Sequence, residues 1–281
     1  MAQITASMVK ELREMTAAAM MDCKKALTEC DGDIESAKEL LRKKGQAIAS
    51  KKASRETKEG AIAIYAEMNK VGLVKMACET DFVAINDQFK EFIGELAKHA
   101  AEVGAENFTE KTTDKGTIKE IIVEAVAKLG ENIVFIEGAD WKAAENNVIG
   151  SYVHSNGKIG TLVELAADGI VDKDKMAVVA KDIAMHIAAS HVEAIREEDL
   201  DAQVVEKEKN FLIDQAKESG KPENIIEKMV EGRIKKYKKE ICLLYQNFVK
   251  NPEQTIEQLL LDSGKAIGAK LDVKRYFKTQ F

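Results

Sequence analysis

The sequence predicts an α+β protein with an N-terminal three-helix bundle, a duplicated core of antiparallel sheets covered by helices, and an antiparallel helical hairpin. Two observations predict this class. Apolar residues recur with a helical period along most of the chain, but twice the period changes to two, which is typical of strands. Only two prolines occur in 281 residues, so long stretches are free to be helical. This length also predicts more than one domain.

The N-terminal residues predict three short helices. Thr5 can cap the first helix, and the second is expected over residues 18–29. The third helix is expected to start after Asp33 and to stop at Gly45, because glycine commonly follows the end of a helix. The polar and basic residues 46–59 then indicate a linker or an exposed helix.

The following residues predict a sheet covered by helices. Apolar residues alternate over 61–66 and 71–78, which predicts two strands joined by a turn at 68–70. Helices are expected at about 86–102 and 117–129, where the apolar residues return to helical spacing.

The same plan then recurs. Strands are predicted over 148–154 and 159–165, and a helix is predicted at about 174–189. Residues 70–72 (Lys-Val-Gly) and 158–160 (Lys-Ile-Gly) align at a constant offset of 88. This repetition predicts a duplicated unit in which helices cover one face of each antiparallel sheet.

Two highly charged helices are predicted over 200–218 and 223–241. The second carries a narrow apolar stripe, and the first has few clearly apolar residues, with Phe211 among them. A narrow seam surrounded by charge favours an antiparallel helical hairpin. A helix over 254–262 and a strand from Leu271 are expected to follow.

These elements divide the chain into predicted domains. The domains are the three-helix bundle 1–45, a basic linker 46–59, a core N-subdomain 60–139, the first part of a core C-subdomain 140–199, the helical hairpin 200–241, and a C-terminal helix and strand 242–281 that complete the core.

Composition and motifs argue against an enzyme. A net charge of −6 disfavours a general nucleic-acid binder. No nucleophile, metal or phosphate-binding motif is found, so no catalytic residue, metal or cofactor is expected. Cys23 and Cys30 could share a helix face, but no nearby histidine completes a zinc site. His186 is expected to be a core or subunit-facing histidine.

The chain has no apolar run long enough to cross a membrane, and its start lacks the charged and apolar regions of a signal peptide. A cytoplasmic protein is therefore expected. Residues 38–58 carry eight Lys or Arg residues against Glu39 and Glu56. They are either a solvated helix end and linker or a contact patch for an acidic partner.

Residues 78–83 place the ring of Phe82 beside the carboxylate of Asp81, where the chain leaves a predicted strand. In one interpretation Phe82 belongs to the core and Asp81 caps the following turn. In the other, the ring and the carboxylate are available for a functional contact.

Residues 80–83, Thr-Asp-Phe-Val, resemble the TDFV motif of the bacterial elongation factor Ts family, the guanine-nucleotide exchange factors of elongation factor Tu. Further similarities follow in the same order along nearly the whole chain. They lie at residues 12–16, 20–27, 128–133, 150–154, 219–222 and 227–233.

The resemblance implies that the bundle is a ubiquitin-associated (UBA)-like domain and that the partner is elongation factor Tu, both GDP-bound and nucleotide-free, with no direct nucleic-acid contact and no membrane. It also leaves self-association through the core C-subdomain as an expectation. The implied partner-binding residues are Thr80, Asp81, Phe82, Val83, Met20, Met21, Lys24, Leu129 and His154.

The resemblance assigns these residues different roles. Asp81 and Phe82 would push into the nucleotide-binding domain of the partner and displace helices that hold Mg²⁺ and the phosphates. Leu129 would support this wedge, and His154 would touch a different domain of the partner. Met20, Met21 and Lys24 would lie against the nucleotide-binding domain.

The chain also departs from the family pattern. It has Ala17 and Ala19 in place of glycines, Lys75 and Ala77 in place of a glutamate and an asparagine, Ile85 in place of a basic residue, and Asn247 in place of a proline. The alternative function is an RNA- or ribosome-associated protein that uses the basic segments 38–58 and 233–239. Such binding would depend steeply on salt, because it releases counterions.

Overall fold

A computed structural model of the chain describes residues 3–16, 18–67, 69–217 and 222–281. Ala17, the predicted turn residue Met68 and the hairpin loop 218–221 lie outside the described residues. The chain divides into two compact units. The first runs from the N-terminal helices to Trp141 and adds Ser155–Lys158 and Gln280–Phe281. The second comprises Lys142–His154 and Ile159–Thr279.

The first unit contains a bundle of helices and a sheet with its covering helices. Its helices are α1 (Ala6–Thr16), α2 (Met20–Glu29), α3 (Ile34–Lys52), α4 (Asp81–Ile85), α5 (Asp87–Val103) and α6 (Ile118–Leu129). Its strands are β1 (Glu59–Glu67), β2 (Lys70–Cys78), the short pair β3 (Thr112–Thr113) and β4 (Gly116–Thr117), and β5 (Val134–Lys142), whose last residue opens the second unit.

Helices α1, α2 and α3 pack around a small apolar core that includes Leu12, Cys23 and Leu27. The carboxylate of Asp33 caps α3 by accepting a hydrogen bond from the Ser36 amide at 2.6 Å. The prediction that this helix stops at Gly45 is wrong, because α3 continues to Lys52. A glycine inside a helix costs only about 1 kcal/mol. Packing of Ala49 against the core of the sheet favours the longer helix.

The first sheet has the strand order β1-β2-β5, and β1 pairs antiparallel with β2 from Glu59↔Cys78 to Glu67↔Lys70. Helix α5 covers both β1 and β2. A Cβ atom at Gly72 of β2 would overlap the carbonyl oxygen of Ala97 in α5, so this glycine permits close approach of strand and helix. The predicted hairpin and both helices are confirmed, whereas α4 and β5 were not predicted.

The second unit contains another sheet, its covering helices and a pair of charged helices. Its helices are α7 (Lys173–Ala189), α8 (Ala202–Lys217), α9 (Glu223–Ile241) and α10 (Ile256–Ile267). Its strands are β6 (Asn147–Val153), β7 (Ile159–Ala167), β8 (Asn247–Phe248), β9 (Asn251–Thr255) and β10 (Leu271–Gln280), whose last residue belongs to the first unit.

The second sheet repeats the plan of the first. Its order is β10-β7-β6, so a hairpin again has a third strand beside its second strand. Gly150 of β6 lies where a Cβ atom would overlap the backbone of Ala180 in α7, which again permits close packing of sheet and helix. The predicted α+β class with antiparallel sheets is therefore confirmed.

His186 of α7 is a satisfied core histidine, as one sequence interpretation expected. It is 1% exposed, its Nε2 lies 2.8 Å from Oε1 of Gln246, and its Nδ1 accepts a hydrogen bond from the Val249 amide. Burial lowers the pKa of His186, since a desolvated imidazole is more stable in its neutral form.

Helices α8 and α9 pack against each other through an apolar cluster formed by Leu212, Ala216, Ile226 and Val230. Phe211, counted among the apolar residues of the predicted seam, is instead 60% exposed. Throughout the described ranges, each helix is too short or too polar to span a lipid bilayer.

Candidate partner-binding site

The candidate site begins where β2 ends and the short helix α4 begins. Thr80 has an extended backbone, and its hydroxyl accepts a hydrogen bond from the Val83 amide at 3.3 Å. Thr80 is therefore the N-cap of α4, and the interpretation that Asp81 caps this turn is wrong. Asp81 is instead the exposed first residue of the helix.

Helix α4 has one buried and one exposed side. Val83 and Ala84 pack into the core of the first sheet, whereas Phe82 is 77% exposed and Ile85 is 64% exposed. Residues three apart are neighbours on a helix surface, so Phe82 and Ile85 form a continuous apolar surface. The interpretation that places Phe82 in the core is therefore wrong, because Val83 and Ala84 occupy the core-facing side.

A carboxylate from the loop after α6 holds the start of this helix. Oε2 of Glu131 accepts hydrogen bonds from the backbone amides of Glu79 and Thr80, each at 3.0 Å. Oε1 of Glu131 accepts the hydroxyl proton of Thr80 at 2.5 Å. A single side chain thus fixes two successive amides and the capping hydroxyl.

Glu79 forms the reverse connection between the same two segments. Its carboxylate accepts the backbone amide of Asn132 at 2.6 Å, and the guanidinium of Arg55 lies 3.4 Å away. The Asn132 side chain in turn donates to the carbonyl of Arg55 at 2.9 Å. The Asn132 hydrogen bond, assisted by the charge of Arg55, lowers the pKa of Glu79.

Leu129 lies at the end of α6, immediately before this loop. It is half-buried against the same apolar core that receives Val83. Gly130 ends α6 in the left-handed conformation, with φ of 81°, and its carbonyl accepts a hydrogen bond from the ammonium of Lys52. The end of α3 therefore contacts the loop that braces α4.

Cys78 precedes this site and has no evident reactive role. Its thiol is fully buried, and burial raises its pKa to about 12. The thiol is therefore neutral near pH 7 and is not a ready nucleophile. Within the described ranges, no three His, Cys, Asp or Glu side chains are grouped so that they could hold a metal ion.

The bundle presents a second candidate surface at the start of α2. Met20 is 58% exposed and Met21 is 62% exposed, and Lys24 one turn later is also exposed. Cys23 and Leu27 point into the bundle core instead. The helix thus buries one side and leaves an apolar pair beside a cation on its surface.

His154 belongs to the second unit, and it follows strand β6. It is exposed, its Nδ1 lies 3.0 Å from the hydroxyl of Tyr152, and its backbone amide donates to the carbonyl of Ile159. These contacts orient His154 at the start of the turn between β6 and β7.

Seven of the eight basic side chains in residues 38–58 have partners within the molecule, which reduces the charge left for an outside ligand. The pairs are Lys38–Glu35, Arg42–Glu120, Lys43–Glu39, Lys44–Glu29, Arg55–Glu79 and Lys58–Glu56, and Lys52 donates to the Gly130 carbonyl. Several of these contacts connect the basic segment to the first sheet and α6. The pattern favours a structural role for this segment over a nucleic-acid surface.

Sequence reasoning missed the residues that brace the site, namely Glu131, Asn132, Glu79 and Arg55. The segment 128–133 was noted for its resemblance, but its polar side chains had no assigned role. A carboxylate and an amide directly after a helix end were the available signal, and their partners more than fifty residues away could not be identified from spacing.

Comparisons with known proteins identify the family to which the chain belongs. A family model described as "Elongation factor TS" matches residues 79–280. Elongation factor Ts of Clostridium perfringens (strain SM101 / Type A) is 43% identical over 281 residues, which cover 98% of this chain and 92% of the relative. Elongation factor Ts of Clostridium novyi (strain NT) is 44% identical over 283 residues, with coverage of 98% and 92%.

A match of this extent defines first a class, the translation elongation factors. Within that class the chain belongs to the elongation factor Ts family. It is therefore a guanine-nucleotide exchange factor that acts on elongation factor Tu in protein biosynthesis.

Proposed function

We propose that helix α4 is the part of the chain that opens the nucleotide site of elongation factor Tu. Asp81 and Phe82 would enter the nucleotide-binding domain near the Mg²⁺ ion and the phosphates, as the family resemblance implies. The observation that carries this proposal is the exposure of Phe82, 77%, on a helix whose other side is fixed in the core. Transfer of this ring from water into an apolar site on a partner would lower the free energy and so favour binding.

Free energies set a limit on what this ring can do alone. By linkage, a factor that weakens nucleotide binding is itself bound less tightly by the nucleotide-loaded partner, to the same extent. A thousandfold weakening corresponds to about 4 kcal/mol. Burying one phenylalanine contributes about 1.5–3 kcal/mol. Phe82 therefore requires a second surface that holds the complex while the nucleotide site is strained.

The start of α2 is our proposal for that second surface. Met20 and Met21 would be buried against the nucleotide-binding domain, with Lys24 beside them, and their exposure in the free protein supports this role. Leu129 would support the wedge because it packs against the same apolar core as Val83 of α4. His154 would contact a different domain of the partner, and its exposure is compatible with such a contact.

The proposed partner states are elongation factor Tu with GDP and elongation factor Tu without nucleotide. The protein would act in the cytoplasm, where it would carry out no bond chemistry of its own. Self-association through the core C-subdomain is a further proposal, and the UBA-like character of the bundle is a proposal from the resemblance. The UBA-like domain proposed for 1–45 shares α3 with the segment predicted as a linker.

The experiment follows the release of a fluorescent GDP from elongation factor Tu after the protein is added in excess. Phe82→Ala should slow the release while leaving thermal unfolding nearly unchanged, because the ring is largely in water in the free protein. Phe211→Ala is the matched control, since Phe211 is also exposed, at 60%, but lies on α8.

With the control variant, GDP should leave elongation factor Tu at the rate seen with the unchanged protein. If GDP also leaves at that rate with Phe82→Ala, Phe82 has no part in the exchange. Equal slowing by both variants would instead indicate a general effect of removing exposed rings.

A further inference from the structure

We propose that Glu131 is a positioning residue for exchange, because its carboxylate fixes the direction in which α4 presents Phe82. This inference rests on the function proposed above for Phe82. It adds a residue that does not itself need to touch the partner.

The hydrogen bonds of Thr80 show how Glu131 controls the cap of α4. A threonine hydroxyl has one proton to donate and lone pairs to accept with. In this site the proton goes to Oε1 of Glu131 at 2.5 Å, which leaves the oxygen lone pairs for the Val83 amide at 3.3 Å. The carboxylate thus sets the polarity of the hydroxyl that caps α4.

Helix α4 is short, so it depends on contacts from outside the helix. A helix of five residues has too few internal hydrogen bonds to be stable by itself, so its ends depend on outside contacts. Oε2 of Glu131 also holds the amides of Glu79 and Thr80, immediately before the helix, at 3.0 Å each. Hydrogen bonds to an ionised acceptor are stronger than neutral ones. Glu131 is therefore well placed to define where α4 begins.

Because Phe82 is exposed, its position depends on the backbone of α4. A ring that is 77% exposed receives little orientation from neighbouring side chains. Its position relative to the partner then depends on the helix backbone that carries it. A small rotation at the N-terminus of α4 would move the ring, and precise positioning is what a strained exchange intermediate requires.

The change Glu131→Gln tests this proposal with a side chain of nearly the same shape. The amide NH₂ that replaces one carboxylate oxygen can only donate. Turned toward the Glu79 and Thr80 amides it would abolish both of their hydrogen bonds, and turned toward the Thr80 hydroxyl it would leave the hydroxyl proton without its acceptor. We expect the GDP release rate at saturating protein to fall about tenfold, which corresponds to about 1.4 kcal/mol. The affinity for elongation factor Tu should change less than threefold, because the bundle surface is untouched.

Two further changes separate positioning from general damage. Thr80→Val removes the hydroxyl that Glu131 orients and should lower the release rate about as much as Glu131→Gln. Glu106→Gln, on an exposed loop, is the control for loss of one negative charge. Thermal unfolding of each variant shows whether the fold is preserved.

The decisive comparison is made in the Phe82→Ala background. If Glu131 acts through the ring, then Glu131→Gln should cause no further slowing once the ring is absent. Equal slowing in both backgrounds would overturn the proposal, and so would a wild-type rate for Glu131→Gln alone. If GDP leaves elongation factor Tu at the wild-type rate with Phe82→Ala, the proposed function fails as well. If Phe82→Ala slows GDP release but Glu131→Gln does not, only the positioning role is refuted.

Discussion

Replacing Met20 and Met21 together by alanine should weaken the complex with elongation factor Tu and leave the bundle folded. Both side chains lie at the start of α2 and point into solvent, with exposed fractions of 58% and 62%. Their removal from the free protein therefore takes away few packing contacts. In the proposed complex the same side chains are buried, so the loss should be seen in binding.

The exposed fractions set the size of the effect. Full burial of a methionine side chain is worth about 1.5–3 kcal/mol, and roughly three-fifths of each side chain remains to be buried on binding. Alanine retains one carbon of each side chain, so the pair should contribute about 2 kcal/mol. This free energy corresponds to a Kd about 30-fold weaker.

A fluorescence titration of elongation factor Tu measures this change in Kd. The control is Ile170→Ala, because Ile170 is 97% exposed but lies in the second unit, outside the proposed surface. Leu27→Ala marks the opposite case, since Leu27 is fully buried in the bundle and its truncation should unfold the helices. An unaltered Kd for the methionine variant, with a folded bundle, would refute the assignment of this surface.

Replacing α8 and α9 by a short linker should leave measurable exchange, because the proposed contacts lie elsewhere; complete loss of GDP release would contradict this. Gly72→Ala should destabilise the protein by about 3 kcal/mol in urea unfolding, because the new Cβ overlaps the Ala97 carbonyl. Gly94→Ala is its control within α5, has open space around it, and should stabilise by about 0.5–1 kcal/mol. Burial lowers the pKa of His186, so the stability that it contributes is complete above about pH 6.5 and is lost as the pH falls below that value. Between about pH 7.5 and 5.5, the free energy of unfolding should fall less in His186→Gln than in the unchanged protein. An equal fall in urea unfolding would show that His186 does not cause the pH dependence of stability.

Most helices and both hairpins could be predicted because their signal is local. A hairpin such as β1–β2 shows its alternating residues within a short stretch of chain, and a helix such as α5 repeats its apolar face over several turns. Strand β5 gave no such signal. It contains Gly138 and Asp140, residue types that are rare in strands, and it is defined by its place beside β2.

Helix α4 and the hydrogen bonds of Glu131 could not be predicted from the sequence. Helix α4 spans five residues, which is too short for a periodic pattern. Whether Phe82 faced the core or the solvent depended on Val83 and Ala84 filling the core-facing side. The bonds of Glu131 join residues 51 and 52 positions apart, and no spacing rule predicts such a contact. The family resemblance identified Asp81 and Phe82 of α4, but not the Glu131 side chain that holds the start of this helix.

The ion pairs that join α3 to α6, and the residues after α3 to the end of β2, make the first unit sensitive to ionic strength. Arg42 lies 3.5 Å from Glu120, Arg55 lies 3.4 Å from Glu79, and all four side chains are partly exposed. Ion pairs of this kind contribute at most about 1 kcal/mol each and are screened by salt. Exchange rates measured in dilute and in concentrated salt would thus compare molecules that differ in internal stiffness as well as in attraction to their partner.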